Sequence, residues 1–257
     1  ARTTLATGIY APRGGFQYHR KSQPANLTKG FKLWTQNLQE AGYYTSNNSK
    51  TDYNVTVSPK VAWNDSSRKS TWRNRPTKDT PFFHMQTFGT THESSLHFKK
   101  ETFKNEKTKT SPDAVKVLPY HPDTPMFRYT QARYYDKHKA VDEQIGGLVE
   151  KLKADGLLED TFIFYFGDHG GVLPRGKGYA YESGLHVPLV VRIPENFKHL
   201  VDLKRGTRAK GFVEFVDFGP TVLNLAGIDV PKIMDGKPFL GPNISAADLN
   251  ARNESFG

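Results

Sequence analysis

The chain has 257 residues, 36 Lys plus Arg against 26 Asp plus Glu, a net charge of +10, no cysteine, and 36% hydrophobic and 12% aromatic residues. That length suits one large α/β domain with an aromatic-rich core, and the composition excludes a disordered polymer. The lack of cysteine excludes disulfides and thiolate metal sites, and no apolar run reaches the roughly 18 residues of a membrane span. The basic balance favours an anionic partner. No zinc-finger, basic-zipper or RNA-recognition pattern accompanies it, so nucleic acid is not the expected partner.

Taken in chain order, Thr3 to Thr7 followed by Gly8 predict a helical turn with a glycine stop. Ala11 to Gly30, with Pro12, Gly14, Gly15 and Pro24, reads as loop. Phe31 to Ala41 has helical spacing and stops at Gly42. Tyr43 to Thr45 predicts a short strand running into a polar loop, Asn47 to Asn54. Within that loop Lys50 and Asp52 are two residues apart, so an extended backbone turns both the same way. Phe82 to Phe88 predicts a strand, with His92 just beyond its end. A histidine there is either a loop hydrogen-bonder or a catalytic group. From Phe127 to about Asp155 runs the longest helical pattern, with Ala132, Tyr135, Val141, Ile145, Leu148, Val149 and Leu152 as its apolar stripe and Gly156 as its stop.

Phe162 to Phe166 and Val187 to Val191 predict two strands buried on both faces. Between them lie Gly167-Asp168-His169-Gly170-Gly171 and a loop with two cations, Arg175 and Lys177, set among glycines. Ligands of open α/β sheets bind beyond the carboxyl ends of strands, so this stretch suits a metal and an anion. Phe212 to Leu225 predicts a strand leading into a helix, with Pro220 in the first helical turn. The alternation of strands and helices predicts an α/β fold with a mixed, mostly parallel sheet flanked by helices.

Four linked segments, Gly167-Asp168-His169-Gly170, Gly176-Lys177-Gly178, Tyr181-Glu182-Ser183-Gly184 and Val187-Pro188-Leu189, resemble those of formylglycine-dependent sulfatases in the alkaline-phosphatase-like superfamily. Ala1 to Gly8 resembles the tail of the family signature Cys-x-Pro-x-Arg, with Arg2 as its arginine. Glu40 to Tyr43 with Lys50, the strand leading to His92, and Val216 to Leu223 resemble further family segments. The variants around Lys50 and His92 look like those of bacterial sulfatases that act on polysaccharides.

The resemblance implies a sulfatase catalytic domain over residues 1–243, incomplete, with 244–257 opening a C-terminal subdomain. It implies a formylglycine, made from a Cys or Ser ahead of Ala1, and one Ca²⁺. Asp168 and His169 are assigned to the metal. Lys50, His92 and Lys177 are assigned to the sulfate and to catalysis, and Arg2 to the formylglycine diol. His169 stands where many members have Asn. Asp52 stands where many have His, and an ionised carboxylate cannot donate to a sulfate. A hard ion suits a carboxylate ligand, and fixed cations suit a sulfate ester whose charge shifts toward the leaving oxygen. The implied substrate is a sulfated small molecule or polysaccharide, and the implied location periplasmic or secreted. The 257 residues by themselves are expected to be inactive, lacking the nucleophile. The alternatives are a phosphatase or phosphodiesterase of the same superfamily, which two zinc ions per chain would reveal, and a non-catalytic binder of polyanions.

Overall fold

The computed structural model describes residues 1–23 and 25–256, so Pro24 of the predicted loop and Gly257 at the end of the 244–257 segment lie outside the described residues. In chain order the helices and strands are α1 (Arg2–Thr7), α2 (Ala11–Gly14), α3 (Thr35–Glu40), β1 (Tyr44–Asn48), α4 (Pro59–Ala62), β2 (Asp65–Ser66), β3 (Phe82–Gln86), α5 (Lys100–Asn105), α6 (Pro125–Ala154), β4 (Ile163–Phe166), α7 (Glu182–Leu185), β5 (Leu189–Arg192), α8 (Phe218–Leu225) and α9 (Ala246–Asn250). They form two compact units, Ala1–Thr87 with Val191–Gly257, and Phe88–Val190.

The first unit is built on β1, which pairs in parallel with β2 on one side and β3 on the other. The β1–β3 register runs from Tyr44 opposite Phe82 to Asn48 opposite Gln86. Strand β1 continues through Asn47 and Asn48, which the sequence assigns to a loop. Local polarity is overridden because Thr45, Ser46 and Asn47 are fully buried with partners to hand. Asn47 Nδ2 donates to Ser66 Oγ at 3.0 Å, and Ser70 Oγ donates to the Asn47 carbonyl at 2.6 Å. Buried polar groups that find partners in this way avoid their desolvation cost.

Helix α1 ends as expected, with Gly8 at φ 69°. It carries Leu5, whose carbonyl accepts a 2.6 Å hydrogen bond from Trp34 Nε1. Trp34 meets Phe83 edge-on at 4.9 Å, and Trp63 stacks on the same ring at 5.9 Å. Burying one such indole contributes on the order of 4–6 kcal/mol before ordering entropy is subtracted. Helix α8 comes close to Trp34 through Gly219, where a Cβ would lie 2.5 Å from the indole Cδ1. Leading into α8, Phe215–Asp217 is a 3-10 turn, and no strand is formed over residues 212–214. The predicted strand is replaced because Glu214 and Asp217 form a reciprocal capping box that turns the backbone. The predicted loop over Ala11 to Gly30 contains the short helix α2, started by Pro12.

The second unit is organised on α6. The Thr124 hydroxyl caps it by accepting from the Phe127 amide, Pro125 opens its first turn, and Gly156 follows its end at φ 72°. Ala132, Val141 and Leu152 of the predicted stripe are buried, together with Tyr129 and Gln131. Tyr135 instead is 38% exposed, its hydroxyl receiving a bond from Gln131 Nε2. Strand β4 pairs with β5, which runs across the end of this unit at Val190, in a two-stranded sheet. The expectation that both are fully buried fails: β4 is half-buried throughout and Val190 is 60% exposed. A sheet of two strands leaves its outer edges unpaired and its faces partly open.

Candidate active site

Arg2 and Lys50 belong to the first unit and His92, Asp168, His169 and Lys177 to the second. Each group is defined by its own surroundings.

In the first unit, Arg2 opens α1 and lines a small cavity with Trp34, Tyr53, Trp63 and Met85. Burial pushes the Tyr53 hydroxyl above its ordinary pKa, and the positive charge of Arg2 nearby opposes that shift. Beside Tyr53, the Asn54 amide donates to Thr3 Oγ1 at 2.8 Å. These contacts tie the segment after β1 to the helix that carries Arg2. Lys50 lies in that segment, its Nζ 3.5 Å from Asp52 Oδ2, so the two side chains do turn the same way. Asp52 is 72% exposed along its side chain and acts as an ion-pair partner of the lysine.

In the second unit, Asp168 and His169 follow directly on β4. His169 Nδ1 lies 2.8 Å from the Gly170 carbonyl, an acceptor only, so Nδ1 carries the hydrogen. His169 Nε2 lies 3.6 Å from Asp168 Oδ1. With neutral imidazole this places a nitrogen lone pair beside a carboxylate, an arrangement that suits a shared cation. The pair is a partial ligand set only. Among the described residues no group of three or more His, Cys, Asp or Glu is placed to hold a metal, whereas Ca²⁺ takes six to eight oxygen donors.

Lys177 sits on a tightly wound loop. Its amide donates to the Gly171 carbonyl at 2.7 Å, and a Cβ at Gly176 would lie 1.9 Å from that same carbonyl oxygen. The following Gly184 carbonyl accepts from Gly170 at 3.0 Å, and Ser183 Oγ donates to the Arg175 carbonyl at 2.6 Å. Tyr134 of α6 is hydrogen-bonded to the backbone of Val172, and burial together with the nearby Asp168 charge raises its pKa. These contacts aim the Lys177 ammonium, which meets Glu93 Oε2 at 2.7 Å.

Glu93 adjoins His92. The His92 ring caps a 3-10 turn over Glu93–Leu96, with Nδ1 accepting from the Ser94 amide at 3.3 Å. That bond makes Nδ1 the acceptor and leaves Nε2–H as a donor. His92 is thus a loop hydrogen-bonder with its second nitrogen available. The structure brings His92, Glu93 and Lys177 into one cluster. Glu93 is a residue of this cluster that the sequence reading did not single out. Its charge next to a histidine was visible there, but its distance from Lys177 was not.

The family profile Sulfatase matches residues 1–228. The chain belongs to the sulfatase family. Members of this family hydrolyse sulfuric esters. The sulfatase chain is 31% identical to an ulvan-active sulfatase of Formosa agariphila over 94% of its own length and 46% of the relative's. It is 36% identical to the N-acetylglucosamine-6-sulfatase of Bos taurus over 45% of its length and 20% of the relative's. The chain thus spans less than half of these relatives. Its fold is the alkaline-phosphatase-like α/β fold predicted from the sequence. A protein solved with its substrate D-glucosamine-2-N,6-O-disulfate superposes with a TM-score of 0.64 at 17% identity, covering 99% of this chain and 71% of that one. The phosphonate monoester hydrolase of Agrobacterium radiobacter gives 0.68 at 17% identity, covering 99% and 68%. Proteins of this fold thus include a phosphonate monoester hydrolase as well as a protein solved with a sulfated glucosamine.

Proposed function

We propose that the protein carrying this chain is a sulfatase acting on a sulfated carbohydrate. The observation that supports this reading most is the sulfatase profile over residues 1–228, within which the Lys177 loop and His92 share one cluster. The named relatives are sulfatases of ulvan and of N-acetylglucosamine-6-sulfate. A formylglycine, which the family resemblance implies and which lies outside these residues, would supply the attacking oxygen.

Within the second unit, the Lys177 ammonium provides positive charge for a non-bridging sulfate oxygen. It exchanges its bond to Glu93 for one to the ester, a change that costs little because the pair is partly solvated. His92 Nε2–H is the available donor for the leaving oxygen, and general-acid help of this kind is worth about a hundredfold or more in rate. Asp168 and His169 would hold one side of a divalent ion, read as Ca²⁺, which would add positive charge beside the sulfate. Arg2 and Lys50 keep the roles that the family resemblance assigns to them. A periplasmic or secreted location is part of the same reading, since polysaccharide substrates lie outside the cytoplasm.

The test is sulfate release, followed by ion chromatography, from a panel of sulfated oligosaccharides with the protein carrying this chain. Sulfate is expected from at least one member, and Lys177→Ala and His92→Ala are expected to reduce it at least about a hundredfold. Phosphate release from matched phosphate esters faster than sulfate release, or two zinc ions per chain, would overturn the reading.

A further inference from the structure

Arg175 sits two residues before Lys177, with its guanidinium over two aromatic rings. Its Cζ is 4.0 Å from the Tyr181 ring centroid and 4.6 Å from that of Tyr120. The backbone is pinned on both sides of this cation. His121 Nε2 lies 2.9 Å from the Pro174 carbonyl, and Ser183 Oγ donates to the Arg175 carbonyl. Arg175 itself holds φ 67°, a left-handed conformation that costs a non-glycine residue about 1 kcal/mol or more and persists where the surroundings over-determine it.

Among the described residues Arg175 makes no ion pair with a carboxylate, unlike Arg13, Arg128 and Arg252. Both rings serve the guanidinium as cation–π partners, which leaves its N–H donors without an anion among the described residues. The tyrosines are also open to solvent. Tyr120 is 42% exposed, Tyr181 45% and Tyr179 58%, and Tyr179 stacks on Tyr181 at 6.2 Å. A lone exposed tyrosine is ordinary. Two in contact with one immobilised guanidinium, and a third stacked on one of them, make a preformed patch with an apolar floor and a cationic edge.

We propose that Arg175, Tyr120, Tyr179 and Tyr181 form an anionic-sugar subsite. The arginine edge takes a sulfate or carboxylate bidentately, and the exposed Tyr179 and Tyr181 faces take the C–H face of the sugar ring. The proposal rests on the sulfated-carbohydrate reading above and deepens it. It assigns the patch to a second charged group of the carbohydrate, beside the ester that Lys177 would hold.

The experiment is affinity electrophoresis of the protein in gels containing dextran sulfate, polygalacturonate or neutral dextran. The proteins compared are the wild type, Arg175→Ala, Arg175→Lys, Tyr181→Ala and Lys107→Ala, a control that removes one exposed positive charge elsewhere in the same unit. Thermal melts verify that each variant is folded. Arg175→Ala is expected to weaken retardation by dextran sulfate about tenfold, the loss of a charge-assisted pair. Arg175→Lys keeps the charge without the planar fork and is expected to recover less than half of that. Tyr181→Ala falls between, and neutral dextran retards none of them. A loss seen only with polygalacturonate would name carboxylate as the group. An effect of Arg175→Ala no larger than that of Lys107→Ala, on both polyanions, would overturn the subsite. Sulfate release is scored separately. No release with the Arg175 effect intact removes the sulfatase reading and leaves the subsite, whereas release with no Arg175 effect removes the subsite alone.

Discussion

Lys177 Nζ donates to Glu93 Oε2 at 2.7 Å across 84 residues of chain. The hydrogen bond and charge of Lys177 hold the Glu93 carboxyl below its ordinary pKa, so it is ionised through the neutral range. An anion that uses Lys177 must compete with this carboxylate. Glu93→Gln removes the competing charge and is expected to tighten binding of a sulfate ester about two- to fivefold, as KM or as a competitive inhibition constant. Weaker binding in Glu93→Gln would show that the carboxylate serves to position the lysine.

Gly176 lies where the loop folds on itself, with no room for a methyl beside the Gly171 carbonyl. Gly176→Ala is expected to cost about 1–3 kcal/mol in urea unfolding, because the backbone clash cannot be relieved by a side-chain rotation. It should also lower sulfate release together with Lys177→Ala. A Gly176→Ala protein with unchanged stability would refute the close approach.

His84 on β3 is half-buried, with Ser46 Oγ 2.8 Å from Nδ1, Gln86 Oε1 3.3 Å from Nε2, and the Trp72 ring edge-on at 5.5 Å. Burial pushes its pKa down from the ordinary value of about 6.5. The unfolded chain therefore takes up a proton at a higher pH than the folded one does. The corresponding stability is fully present above about pH 6.5 and is lost as the pH falls toward and through the depressed folded value. His84→Gln should flatten the fall in melting temperature between about pH 7.5 and pH 5.5. An unchanged pH profile would exclude His84 as its source.

Asp217 is buried and accepts from the amides of Lys237 at 2.9 Å and Glu214 at 3.0 Å, and from the Arg252 guanidinium. Desolvation still raises its pKa despite those bonds. The folded state therefore holds this proton more tightly than the unfolded one. Its contribution is greatest below the usual carboxylate range and declines as the pH rises through the raised value. Arg252→Ala leaves the ionised carboxylate without its cation and should cost about 3–5 kcal/mol at pH 7, and less at an acidic pH below the raised value, where the group is protonated. Denaturant titrations at the two pH values measure the difference, and an equal loss at both would contradict it.

Much of the local structure was legible in the sequence because its causes are local. Gly8 and Gly156 end helices by adopting the left-handed conformation that a side chain resists. Thr124-Pro125 starts α6 through a hydroxyl cap and a fixed φ. The linked segments from Gly167 to Leu189 carried the family, and the profile over residues 1–228 agrees with them. The lysine and aspartate at 50 and 52 were expected to turn the same way and do so.

Other features depend on residues remote in the chain. Asn47 and Asn48 belong to a strand because Ser66, Ser70 and β3 supply their partners, against a local pattern that reads as loop. Strands β4 and β5 are half-open because burial depends on what packs against a strand and not on its own apolarity. Glu93 against Lys177, and Tyr120 against Arg175, are pairs that only folding creates, since no periodicity links positions 84 or 55 residues apart. The sequence alone identified the sulfatase motifs and the residue types that its chemistry requires. The tertiary structure decided which carboxylate occupies the lysine and which cation stands ready for an anion, because charge pairing is governed by distance in space.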